Sequence, residues 1–160
     1  MSKTKYVSYR ERGFYVYDVA LGVFLQQFFD AAEASEHVNT EWLMSAVSDW
    51  RVSACIQDIG MTLDERWSTS QCQTIVALAE EACRTLEQRD SIPAKEIVQW
   101  RILDDEHIFP RGAMEVSTAP IIELGRAIIA LVEGNLPIAP EGKAWFYGTE
   151  KGRQILALRP

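Results

Sequence analysis

Tyr6-Val-Ser-Tyr-Arg-Glu-Arg-Gly-Phe-Tyr-Val-Tyr17 decides the fold class. Residues 6–9 and 14–17 are aromatic and β-branched runs, and Arg10-Glu11-Arg12-Gly13 between them has the polar, Gly-ended character of a hairpin turn. The far end of the chain repeats the pattern: Trp145-Phe-Tyr147 and Gln154-Ile-Leu-Ala-Leu158 flank Gly148-Thr-Glu-Lys-Gly152, a second hairpin with a longer loop. Pro137, Pro140 and Gly142 mark the loop that leads into it. The sequence between the hairpins reads at helical period, so strands at both ends enclose a helical middle. The economical solution is an α+β fold, about five amphipathic helices packed on a small antiparallel sheet formed by the N- and C-terminal hairpins.

The helices are read from stripes and caps. Asp18 caps a helix over 19–34, where Val19, Val23, Phe24, Leu25, Phe28 and Phe29 make a broad apolar face. Thr40 or Asn39 opens the next, with Trp42, Leu43, Ala46, Val47, Trp50 and Ala54 at three-to-four-residue spacing and Gly60 as a stop. Thr62-Leu-Asp-Glu65 and Ser68-Thr-Ser-Gln71 both have capping-box form, and the second opens a helix over 70–89. Its stripe is Ile75, Leu78, Ala79, Ala82, Cys83 and Leu86. Ser91-Ile-Pro93 opens a fourth helix, with proline in its first turn, running through Ile97 and Trp100. Thr118 and Pro120 open the last, whose stripe of Ile121, Leu124, Ile128 and Leu131 ends at Gly134.

The length of 160 residues suits one globular domain spanning 1–160. An apolar share of 48% with 24% charged residues excludes a disordered chain. Residues 19–29 form the longest apolar stretch, but Gly22, Gln26 and Gln27 interrupt it, so no membrane span is expected. No apolar run precedes Gly13, so no secretory leader is expected either. Cys55, Cys72 and Cys83 lack a CxxC spacing and fall in helical patterns, which reads as buried thiols in a reducing cytoplasm. The net charge of −7 opposes phosphate backbones, so nucleic-acid binding is not expected. Residues 30–65 concentrate the acid, with Arg51 the one base among them, while both ends are slightly basic.

No motif names a reaction. GxGxxG, Walker-type, GxSxG, HExxH and EF-hand patterns are all missing from the sequence, so no cofactor and no metal is expected. The two histidines, His37 and His107, have no cysteine placed to serve as a nucleophile beside them. Asp104, Asp105, Glu106 and His107, with Arg111 close by, are the densest titratable group, yet four consecutive residues cannot all face one ion. An acidic turn is the simpler reading of that run. Of the five tryptophans, Trp42 and Trp50 share a helical face and read as core. Trp67, before a cap, and Trp145, opening a strand, are expected to be partly exposed and able to anchor a contact.

These features favour a non-enzymatic interaction protein, with a protein partner that carries a basic surface. The docking residues expected are Glu33, Glu36, Glu41, Asp104, Asp105, Glu106 and His107, with Trp67 and Trp145 as anchors. In being small, acidic and free of catalytic motifs, the chain is similar to the immunity proteins that neutralise bacterial contact-dependent toxins. That likeness implies masking of the partner by shape and charge. The rival reading is an enzyme or small-ligand binder with a pocket near Asp104 to Arg111. A third places a homodimer contact on the aromatic tail.

Overall fold

The first strand, β1 (Thr4–Tyr9), turns at Arg10 and Glu11 into β2 (Arg12–Tyr17), and the two pair in antiparallel register from Thr4↔Tyr17 to Tyr9↔Arg12. The structure, a computed structural model, describes residues 3–158. Among them follow α1 (Asp18–Ala34), α2 (Glu41–Cys55), β3 (Met61–Thr62), α3 (Thr69–Glu87), β4 (Ser91–Pro93) and the single turn α4 (Ala94–Ile97). Next come β5 (Glu115–Ser117), α5 (Ala119–Glu133), β6 (Lys143–Tyr147) and β7 (Gln154–Ala157). The class is α+β, with five helices against a small sheet, as the sequence pattern implies.

The sheet itself differs from the expectation of a purely antiparallel one. Its order is β3-β1-β2-β6-β7. Each terminal hairpin is antiparallel within itself, but the two join through β2 and β6 in parallel, with Tyr15 opposite Phe146. The short β3 also lies parallel to β1. Parallel neighbours need a long crossover, and the whole helical middle of the chain separates β2 from β6. Hairpin signals fix the direction of pairing only within each hairpin.

Helix α1 is the centre of the molecule. Its residues from Val19 to Leu25 are all buried, as are Phe28, Phe29 and Ala32. A helix buried all round must be wrapped on all sides, and α1 packs on α2, α3, α5 and β2. Gly125 of α5 lies where three helices come close: a Cβ there would stand 2.6 Å from both Cys83 Sγ and the Phe24 ring. Gly134, at φ 78°, ends α5 in the left-handed conformation that glycine adopts without strain.

Two caps behave differently from each other. Ser68 Oγ accepts from Gln71 N–H, and the Gln71 side chain accepts from Ser68 N–H, a complete capping box that opens α3. Thr62–Glu65 has the same sequence form and starts no helix. Thr62 is held in β3, and Leu63 N–H donates to Ser8 O, so strand pairing takes the backbone that the cap would need. The helix expected from Ser91 through Trp100 is likewise replaced. Residues 91–93 pair with β5 in a second, two-stranded sheet, and the helix shrinks to the turn of α4.

Three of the five tryptophans, Trp42, Trp50 and Trp67, form one cluster. Trp67 stands 5.9 Å from Trp50, 6.0 Å from Trp42 and 6.4 Å from Tyr9, ring centroid to ring centroid, and Phe28 stacks edge-on to Trp50. Trp67 is 7% exposed, which corrects the expectation that it stands partly open to solvent. Trp145 is also buried, its Nε1–H donating to Pro137 O with Arg153 stacked over the ring. Hydrogen bonding and packing hold both rings in place, and neither offers a free anchor.

Candidate functional site

The longest connection among the described residues is the irregular stretch 98–114 between α4 and β5. Connections beyond about 12–15 residues without regular structure are uncommon in compact domains and are often functional. This one is pinned along its length. Ile102 and Ile108 are buried, and Ile108 presses on Gly22 of α1, where a Cβ would stand 2.8 Å from its side chain. Arg51 of α2 donates from Nη1 to Ile102 O at 3.1 Å and from Nη2 to Glu33 at 2.9 Å, tying the end of α1 to the connection. Arg111 forms a two-pronged ion pair with Asp18 at the start of α1; its Nε–Oδ1 distance is 3.1 Å.

Between these pins the connection turns outward. Glu106 N–H donates to Leu103 O at 2.7 Å, closing a tight turn with Asp104 at φ 48°. Asp104, Asp105 and Glu106 all stand exposed on that turn. Asp105 lies 3.8 Å from the solvent-facing Arg101. Phe109 is 63% exposed and Met114 88% exposed. The His107 ring tilts against Phe109 at 4.6 Å, and its Nδ1 lies 2.9 Å from Ile108 O. The acidic turn read from the sequence is therefore present, and Phe109 stands close to it.

Behind the connection lies a cavity of about 340 Å³, lined by Lys5, Asp18, Cys55, Ile108, Phe109 and Arg111, among others. Lys5 is its buried charge. Alternation along β1 turns Lys5 inward with Val7 and Tyr9. There Nζ donates to Ser53 O and, at 3.0 Å, to Ile56 O, carbonyls at the C-terminal end of α2. A cation at a helix C-terminus satisfies carbonyls that the helix leaves unpaired. Burial still lowers the Lys5 pKa, with the carboxylate of Asp18 opposing that shift. Burial also pushes the Cys55 thiol up to about 11, so it is a poor thiolate nucleophile at neutral pH.

The Lys5 shift has a testable consequence. Its folded pKa lies below the unfolded value of 10.5, so between the two the unfolded chain holds more protons and stability from this site rises with pH. Urea unfolding of the native chain and of Lys5→Met should therefore diverge in favour of the native chain as pH climbs toward 10.5. A difference between them that stays flat with pH would mean that the ammonium is not desolvated.

The expected docking residues fall in two groups. Asp104 to His107 stand together on the connection, and Glu33 joins them through Arg51. Glu36 and Glu41 are exposed at the opposite end of α2, about 20 Å of helix away from Cys55. Arg111 is engaged with Asp18 rather than with the acidic turn. Sequence reading missed Lys5, whose inward register was its signal, and also Phe109 and Met114, two apolar residues outside any stripe. The cysteines divide too: Cys83 is buried, but Cys55 and Cys72 are half-buried, each lining a cavity. Among the described residues, no group of three or more His, Cys, Asp or Glu converges as metal ligands would. No helix there is long and apolar enough to cross a membrane. Comparison with protein-family models, curated proteins and solved structures finds no match in any of the three.

Proposed function

We propose that this chain is a non-enzymatic interaction protein that masks a basic partner, docking it on the connection 98–114. One observation carries the reading: a connection pinned at Ile102, Ile108 and Arg111 exposes Phe109 close to the acidic turn Asp104–Glu106, and exposes Met114 further along. Pinning lowers the ordering cost of binding. Phe109 and Met114 supply apolar area that water leaves on contact, and the carboxylates attract a cationic surface and speed encounter. Such masking is what a toxin-neutralising immunity protein does, and that is the concrete version proposed.

The test is affinity capture from native lysate with the chain and with a variant carrying Asp104→Lys, Asp105→Lys and Glu106→Lys. The substitutions sit on an exposed turn, so the thermal midpoint should move by only a few degrees. A specific basic protein should be retained by the native chain and lost by the variant. Equal retention by both, or no specific retention by either, contradicts the proposal.

The cavity behind the connection favours a second reading, a small-ligand site with Lys5, Asp18, Glu106 and Arg111 among its polar groups. Cys55→Phe places a ring in that cavity and separates the two. Partner capture survives it if the outer surface of the connection is the site, and fails if the occupied cavity shapes the docking surface.

A further inference from the structure

We propose that the cavity behind the connection binds a small organic monocarboxylate, its charge paired with Lys5 and Arg111 and its apolar body held among Val19, Ala54, Ile108 and Phe109. This inference rests on the small-ligand reading of that cavity and names the class of ligand. It starts from an unbalanced charge. Lys5 is 5% exposed, the one buried charged side chain among the described residues. Lysine is almost never buried so deeply without an ion-pair partner. Yet among the described residues no carboxylate forms an ion pair with it. Its two hydrogen bonds both go to backbone carbonyls, those of Ser53 and Ile56.

Asp18, the carboxylate whose field acts most strongly on Lys5, is already committed. Its oxygens accept from Val19 N–H at 2.8 Å and from Nε and Nη2 of Arg111. Asp18 and Arg111 thus neutralise each other, and the Lys5 charge is left over. Burial lowers the Lys5 pKa more than Asp18 raises it, as expected of a cation without a partner of its own. An ammonium has three N–H donors and a guanidinium five. Lys5 uses two of its three, and Arg111 Nη1 makes no hydrogen bond among the described residues. Both side chains line the cavity, so one anion there can accept from both.

The walls select an organic anion. Val19, Ala54 and Ile108 are buried apolar residues on the cavity wall, and Phe109 lines it as well. Chloride or phosphate would answer the charge and leave these surfaces against water. A carboxylate on an apolar body answers both. The solvent side limits the number of charges. Glu106 lines the cavity and is itself exposed, so it stands toward the mouth. Its carboxylate repels a second negative charge at that end, which favours a monocarboxylate over a dicarboxylate. A volume of about 340 Å³ lies near the small end of ligand pockets and suits a body of one ring or a short chain.

Titration of the isotope-labelled chain with benzoate, benzamide and terephthalate at neutral pH, followed by amide NMR shifts, tests this. Concentrations up to about 20 mM cover the millimolar affinity of so small a ligand. Benzoate should move the amides of 54–57 and 106–109 saturably. Benzamide, of the same shape without the charge, should bind at least about tenfold more weakly, as loss of a charge-assisted hydrogen bond implies. Terephthalate, with a second carboxylate at the far end of the ring, should also bind more weakly, and Glu106→Gln should recover it. Lys5→Met should remove the preference for benzoate over benzamide. If that variant fails to fold, the recovery of terephthalate by Glu106→Gln decides the matter. Equal binding of benzoate and benzamide overturns the carboxylate and leaves the small-ligand reading standing. No saturable shift with any of the three, or shifts only at residues away from the cavity, overturns both. A preference for benzoate that survives Lys5→Met, or terephthalate binding that Glu106→Gln leaves unchanged, overturns the proposal as well.

Discussion

Trp50→Ala should cost about 3–5 kcal/mol of unfolding free energy, the range for removing a large aromatic side chain from a closed core. Trp50 is 2% exposed and joins three parts of the fold. Its ring meets Phe28 of α1 at 5.4 Å and Trp67 at 5.9 Å, and its Nε1–H donates to Thr62 O at 3.1 Å. Alanine removes the rings' shared contact, and no single neighbour can fill the space without breaking another edge-to-face pair. Thr62 is exposed, so water can take over its carbonyl, and the loss comes mainly from packing. Urea unfolding followed by tryptophan fluorescence and by circular dichroism measures it. A loss below about 1 kcal/mol would show that the cluster contributes little beyond an ordinary surface contact.

Leu124→Ala is the second large effect, about 2–5 kcal/mol and toward the upper end of that range. The cost of a cavity depends on how far its walls can collapse. Leu124 is fully buried on the inner side of α5, and its neighbour Gly125 already touches Cys83 and Phe24. The backbone of α5 cannot move closer to α3 and α1, so the void persists. Ile128→Ala, one turn further along, should behave alike. A loss below about half a kilocalorie for both would place the wrong face of α5 in the core.

Helix α5 was legible in the sequence because stripe, entry proline and closing glycine all agree with its tertiary burial. Helix α3 was legible for the same reason, with Ser68 and Gln71 satisfying each other's backbone groups locally. Thr62–Glu65 shows where local signals stop. The same capping pattern is overruled by a parallel pairing with Ser8, a partner 54 positions earlier in the chain. Pro93 shows it again: a residue suited to the first turn of a helix ends a strand, because β5 arrives from far along the chain to pair with β4. The direction in which β6 joins β2 is equally non-local.

The candidate site was half legible. The run from Asp104 to His107 stands out by composition alone, and it does form an exposed turn. Its neighbours Phe109 and Met114 carry no periodic signal, and only tertiary contacts at Ile102, Ile108 and Arg111 show that the segment is held rather than loose. Trp67 illustrates the opposite error: a position before a cap suggests exposure, yet three aromatic rings from distant segments close over it. The Asp18–Arg111 pair joins residues 93 positions apart, and nothing local in either segment signals the other.

Amide hydrogen exchange of the chain, with and without the basic protein it captures, tests docking on the connection most directly. Binding there should slow exchange across 103–114 and leave the amides of β1, β2 and β6 as they are in the free chain. Unchanged exchange in 103–114, with protection appearing elsewhere on the molecule, would contradict the proposed function.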